Sequence, residues 1–126
     1  MLSWFIASMR ILTCLMQVDN FSPTVAHLPA VASHIATELR TPDIMFLQEI
    51  QDNNGEKAGI VDANVTLSTL AVTIANTTGW TYNYTYINGI DNQDGGVPDG
   101  NIRPAYLYVY FESAGTSFSD IARQVQ

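Results

Sequence analysis

Apolar residues along this chain recur with spacings that change from strand-like to helix-like and back. Residues 10–18 are rich in apolar and β-forming side chains and predict a first strand. Residues 21–27 hold Pro23 and read as a loop. Val31, Ile35 and Leu39 then recur every four positions, which gives one apolar stripe on a helix predicted over 29–39. Pro29 suits the first turn of that helix, where a backbone N–H has no intrahelical partner. The unbroken run Ile44-Met45-Phe46-Leu47 predicts a buried strand over 44–50. A polar stretch with the turn signal Asn53-Asn54-Gly55 follows it. Leu67, Leu70, Ala71 and Ile74 form the buried face of a second helix over 65–77, with Asn64 placed to cap its start and Gly79 to end it. Tyr82, Tyr84 and Tyr86 alternate with Asn83 and Thr85, the period of a half-buried strand. A glycine-rich loop over 89–101 leads to a last strand over 102–111, where Pro104 implies an edge or a bulge.

The order is therefore β-α-β-α-β-β, with no internal repeat. It predicts an α/β (α+β) fold in which one mixed sheet carries two helices on one face. The opposite face of that sheet is left without a cover, a surface prone to association. The apolar segment 1–9 and the tail 112–126 lie outside this pattern, although 119–125 suits one or two helical turns.

Composition narrows the functional classes. In 126 residues, 47% are hydrophobic and 13% charged, a globular balance with room for one domain. The net charge is −7, and the cations are only Lys57, Arg10, Arg40, Arg103 and Arg123. No basic stripe exists to track a phosphate backbone, so any nucleic acid would have to be met through a metal and a few local contacts. A single cysteine, Cys14, excludes an internal disulfide and reads as a small core residue. Sequons at Asn64, Asn76 and Asn83, with a poorer one at Asn20 ahead of Pro23, favour a secreted, extracellular protein, chance occurrence in an Asn- and Thr-rich chain being the alternative reading. Residues 1–9 lack a basic segment ahead of the apolar stretch and have no clean cleavage site, so they read as a doubtful secretion signal. The apolar start is also too short for a membrane span.

The sharpest chemical feature is Glu49. The run from Pro42-Asp43 through Ile44-Met45-Phe46-Leu47 ends abruptly in Gln48-Glu49. A carboxylate at the end of a buried strand is costly without compensation, and a divalent cation is a common compensator. A solvated strand end is the plainer reading.

Pro42-Asp43-Ile44, an apolar pair and Leu47-Gln48-Glu49 together resemble the metal-site strand of the endonuclease/exonuclease/phosphatase superfamily. That is the fold of pancreatic-type deoxyribonucleases, exodeoxyribonuclease III-like repair enzymes and inositol-phosphate 5-phosphatases. Three more segments resemble the family in order. Arg10-Ile11-Leu12-Thr13 leading to Gln17-Val18-Asp19-Asn20 is similar to its first strand. The stretch from Leu28-Pro29 to Ile35-Ala36 is similar to its first helix. Gly95-Gly96-Val97-Pro98-Asp99-Gly100-Asn101-Ile102-Arg103 is similar to a glycine-rich run of secreted, especially fungal, members.

The resemblance implies a four-layer αββα sandwich, of which this chain would hold about the first half. It implies Mg2+, with Mn2+ as its substitute, held by Glu49. Gln17 stands where the family carries an Asn that supports metal and phosphate. The extra methylene moves the amide by about 1.5 Å, beyond the roughly 0.5 Å that a working site tolerates. Asn101 and Arg103 match the family's Asn-Ile-Arg run. One reading makes them phosphate contacts. The other gives Arg103 to loop carbonyls. Asp99 stands where the family run has Gly, a substitution that Asp tolerates at positive φ better than most residues. Asp52, Asp91, Asp94 and Asp99 read by default as solvated loop acids. His34 reads as a helix-surface residue, His27 as packing or capping at the loop, and the tyrosine stripe as sheet packing.

The resulting expectation is a metal-dependent, nuclease-like phosphodiester hydrolase, truncated and inactive as an isolated chain, because the family's catalytic Asp and His motifs follow later. Its substrate would be a nucleic acid or another phosphodiester. The alternative is a non-catalytic interaction module of the same fold, self-associating through the open sheet face.

Overall fold

The computed structural model describes residues 12–93, 95 and 97–109. The segments 1–9 and 112–126, and the turns expected over 119–125, lie outside the described residues.

Four strands and two helices follow one another as β1 Thr13–Phe21, α1 Leu28–Thr37, β2 Ile44–Gln51, α2 Asn64–Thr78, β3 Tyr82–Tyr86 and β4 Ile102–Val109. They build one sheet in the order β1-β2-β4-β3. β1 and β2 are parallel, joined by the α1 crossover, while β4 runs antiparallel to β2 and to β3. The mixed sheet with two helices is the expected architecture.

Alternation along the strands decides which face is covered. Met45 and Leu47 of β2 and Ala105, Leu107 and Val109 of β4 are buried with Val31 and Ile35 of α1 and Leu67, Leu70 and Ile74 of α2. Each large side chain so buried contributes about 1.5–3 kcal/mol. Cys14 and Met16 of β1 pack against this core from the sheet margin. Burial raises the Cys14 thiol above its ordinary pKa, as fits a small packing residue.

The other face is open. Its rows follow from register: Thr13, Ile44, Tyr108 and Asn83 lie side by side, and so do Leu15, Phe46, Tyr106 and Thr85. Leu15 is 65% exposed and Tyr106 45%. Phe46 and Tyr106 bring their ring centroids to 4.9 Å across the strand pair, the rings tilted by 50°.

The helix ends depart from expectation in instructive ways. α1 stops at Thr37, because Glu38 and Leu39 both donate to the His34 carbonyl and Arg40 and Thr41 take left-handed φ of 55° and 49°. α2 is not capped by Asn64. Its cap comes from the preceding loop, where Asn53 Oδ1 accepts the N–H groups of Val65 at 2.7 Å and Thr66 at 3.2 Å. Gly79, at φ 78°, closes α2 as expected.

Pro104 sits inside β4, a central strand. Opposite it β2 bulges: Leu47 pairs with Ala105 and Ile50 with Arg103, so Gln48 and Glu49 face one residue. The pairing of β3 ends at Ala105. The missing proline N–H thus falls where neither neighbour needs it.

Candidate metal centre

The parallel pair β1 and β2 brings its carboxyl ends to one side of the sheet, where ligands of open α/β sheets ordinarily bind. Gln17, Asn20 and Glu49 meet there. Glu49 Oε1 accepts from Gln17 Nε2 at 2.5 Å, and Oε2 accepts from the Asn20 N–H at 3.3 Å. The backbone is left-handed at Asp19, Asn20 and Glu49, with φ of 53°, 45° and 63°. Asp and Asn take this conformation more readily than most residues, whereas at Glu49 it costs about 1–2 kcal/mol. The β2 bulge is what turns the Glu49 side chain toward β1 rather than along the regular alternation. A cleft of about 340 Å3 opens beside it, lined by Phe46, Gln48, Glu49, Ile102, Arg103 and Pro104.

Asn101 and Arg103 are placed differently. Arg103 is buried, and its guanidinium donates to the carbonyls of Val61 and Asn101 and to Asn88 Oδ1. Asn101, 3% exposed, anchors a loop cluster. Its Nδ2 lies 3.0 Å from Asp52 Oδ2, 3.0 Å from Asp91 Oδ1 and 3.1 Å from the Ile60 carbonyl. Its Oδ1 accepts the Asn92 N–H at 2.7 Å.

Asp52 corrects the expectation of a solvated loop acid. It is 0% exposed, its Oδ1 accepts the Asn54 N–H, and its carbonyl accepts the Thr66 hydroxyl. Asp91 is exposed apart from its bond to Asn101, and Asp99 takes φ 61° while bonding Asn92. Asp94 lies outside the described residues. Sequence reasoning missed the Asp52 cluster because acids separated by dozens of residues gave no spacing signal. The one available hint was that Asp52 directly continues a buried strand.

The histidines stand away from Glu49 in role. His27 Nε2 lies 3.0 Å from the Val18 carbonyl with its ring edge-on to Phe21, and His34 is exposed on α1. The tyrosines of β3 use their hydroxyls as ties. Tyr82 donates to the Pro42 carbonyl, Tyr84 to the Asn64 carbonyl and Tyr86 to Asp62 Oδ1 at 2.5 Å. Burial, and then the bond to Asp62, pushes Tyr86 up to about 12. The Tyr86 hydrogen bond in turn holds the Asp62 carboxyl below its ordinary value.

The sequon residues Asn64, Asn76 and Asn83 are all exposed: Asn64 begins α2, Asn76 lies near its end, and Asn83 lies on the open face of β3. Among the described residues no group of three or more His, Cys, Asp or Glu stands ready for a metal, and no helix is long and apolar enough to cross a membrane. Compared with models of known protein families and with curated proteins, the chain matches none.

Proposed function

We propose that this chain supplies the metal-binding strand ends of an extracellular phosphodiester hydrolase, with Glu49 as the carboxylate ligand of Mg2+ or Mn2+. The observation that carries the reading is the backbone of Glu49, held at φ 63° in a bulge so that its carboxylate meets Gln17 and Asn20. Strain of this kind concentrates at functional sites, where the fold holds a side chain in place at a cost.

The donors suit a hard cation. Mg2+ is commonly held by one or two carboxylates, with water and substrate oxygens filling the remaining positions. Glu49 supplies the charge. Gln17 Nε2 steadies one carboxylate oxygen and the Asn20 N–H the other. Bound there, the ion would polarise a phosphate oxygen and offset the charge developing on it. Gln17 and Asn20 are amides and take no proton from water near neutral pH, so a base for the attacking water has to come from another residue or another chain. Asn101 and Arg103 serve as the scaffold of the loop behind the cleft. The substrate is a nucleic acid or another phosphodiester.

The test is Mn2+ binding, read by electron paramagnetic resonance, for the chain and for its Glu49→Ala variant. Binding that disappears in the variant supports the reading. Equal binding by both proteins, or none by the folded wild type, sinks it.

A second reading, a non-catalytic module that pairs with a second copy of itself, is favoured by the open sheet face. Leu15 on the edge strand β1 and Tyr106 on the interior strand β4 are exposed there. The rows Thr13-Ile44-Tyr108-Asn83 and Leu15-Phe46-Tyr106-Thr85 carry no charged side chain, in a chain of net charge −7. Two copies can meet on such a face without setting like charges against each other.

A further inference from the structure

We propose that Asn83 is a glycosylation site whose glycan keeps the open sheet face from pairing with a second copy. The inference rests on the self-association reading above and adds its regulation. Two independent features coincide at this residue. Asn83-Tyr84-Thr85 is an acceptor sequon, and the strand alternation of β3 points Asn83 and Thr85 away from the helices. Register places Asn83 beside Tyr108 and Thr85 beside Tyr106, in the same two rows that hold Ile44 and Phe46. Asn83 is exposed, so its amide is open to the solvent side of the sheet.

The other sequons do not share this position. Asn64 and Asn76 lie on α2, on the opposite side of the sheet, and Asn64 Oδ1 already accepts from Asn53 Nδ2 at 2.6 Å. A glycan on either would leave the open face free.

The modification is a group transfer from a lipid pyrophosphate-linked oligosaccharide. The Asn83 side-chain nitrogen bonds to the anomeric carbon of the first sugar. The bond from that carbon to the pyrophosphate oxygen breaks, the lipid pyrophosphate leaves with the electron pair, and the amide loses one proton. The product is bulky and hydrated. A branched sugar rooted among these rows holds a second sheet well beyond the roughly 10 Å at which two sheets pack.

The test compares one chain from two sources. The bacterial product carries no N-glycan, and sedimentation velocity over a wide concentration range reads the face alone. It is expected to double in mass on concentration, and Tyr106→Lys is expected to abolish that doubling. A wild-type bacterial product that stays monomeric overturns the self-association reading, and the glycan proposal with it. The chain secreted from eukaryotic cells behind an added signal sequence is expected to carry a glycan on Asn83 by mass spectrometry and to remain monomeric. Asn83→Gln and Thr85→Ala each remove the acceptor and are expected to restore the doubling in the secreted product. The double variant Asn64→Gln/Asn76→Gln keeps Asn83 and is expected to stay monomeric. An unoccupied Asn83 in the folded secreted chain, or a glycosylated chain that still doubles, overturns the glycan proposal while leaving the face reading intact.

Discussion

Replacing Asn101 with Ala separates the two roles its sequence context allows, a ligand contact or a structural hub. In the folded chain its amide sits 3.0 Å from both the Asp52 and the Asp91 carboxylates, and its Oδ1 accepts the Asn92 N–H at 2.7 Å. Hydrogen bonds to charged groups are worth about 1.5–3 kcal/mol, and neutral ones about 1 kcal/mol. Asp91 is exposed and water replaces its lost donor, so its share is small. Asp52 is fully buried and is left with the Asn54 N–H on its other oxygen. The variant should therefore lose about 3–5 kcal/mol. That is a large part of the roughly 5–15 kcal/mol that holds an ordinary domain. At about 4 °C per kcal/mol for a chain of this size, the melting temperature should fall by roughly 12–20 °C. Urea denaturation followed by tryptophan fluorescence measures the loss, with the slope unchanged if two-state behaviour persists. Asn101→Asp sharpens the test, because it keeps the shape and sets a third carboxyl beside two carboxylates. Its folded-state pKa is raised by that crowding. The stability it retains is present below its unfolded value and is lost as pH rises through the folded one. It should be worse than Asn101→Ala at neutral pH and recover relative to it in acid. An Asn101→Ala chain within about 1 kcal/mol of wild type, the worth of one neutral hydrogen bond, would refute the hub and return Asn101 to the list of candidate phosphate contacts.

Asn53→Ala should cost about 1–2 kcal/mol in the same urea assay, since it removes the cap that Asn53 lends to Val65 and Thr66 at the start of α2. Glu49→Gly should raise the urea midpoint, by up to about 1 kcal/mol in stability, because glycine accepts φ 63° freely, while it abolishes Mn2+ binding; a loss of stability would mean the carboxylate is a structural tie. Tyr86, pushed up to about 12 from 10.0, favours its neutral form in the folded chain. Its stabilising contribution is therefore complete below pH 10.0 and lost as pH rises toward about 12, and Tyr86→Phe should flatten the urea midpoint across that window.

Element types were legible because each apolar period buries one face. Leu67, Leu70 and Ile74 specify α2, and the Tyr82-Tyr84-Tyr86 alternation gives β3 its bounds. β1 was harder to delimit. Asp19 and Asn20 end the apolar run, yet the strand continues to Phe21 through two left-handed residues. A polar residue in a strained strand end leaves the same trace as the start of a loop. Long-range polar partners left no trace. Asn53 caps a helix twelve residues away in place of the adjacent Asn64, and Asp52 is buried because Asn101 arrives from another loop. Glu49 was legible as a candidate because a charge terminated an apolar strand. The bulge that aims it was legible only indirectly, through Pro104 on the facing strand.

Pro104 and Glu49 are two halves of one device. A sheet interior does not give up ladder hydrogen bonds without compensation. Proline on β4 has no N–H to offer at that position, so an extra residue on β2 loses little there by failing to pair. The bulge then carries Glu49 out of regular alternation at φ 63° and delivers its carboxylate to β1, where Gln17 and Asn20 receive it. Glycine would take φ 63° without strain, so the Glu49 side chain sits here at a conformational cost. A carboxylate fixed in this way, opposite a proline and at the joined carboxyl ends of two parallel strands, is what the proposed cation site requires.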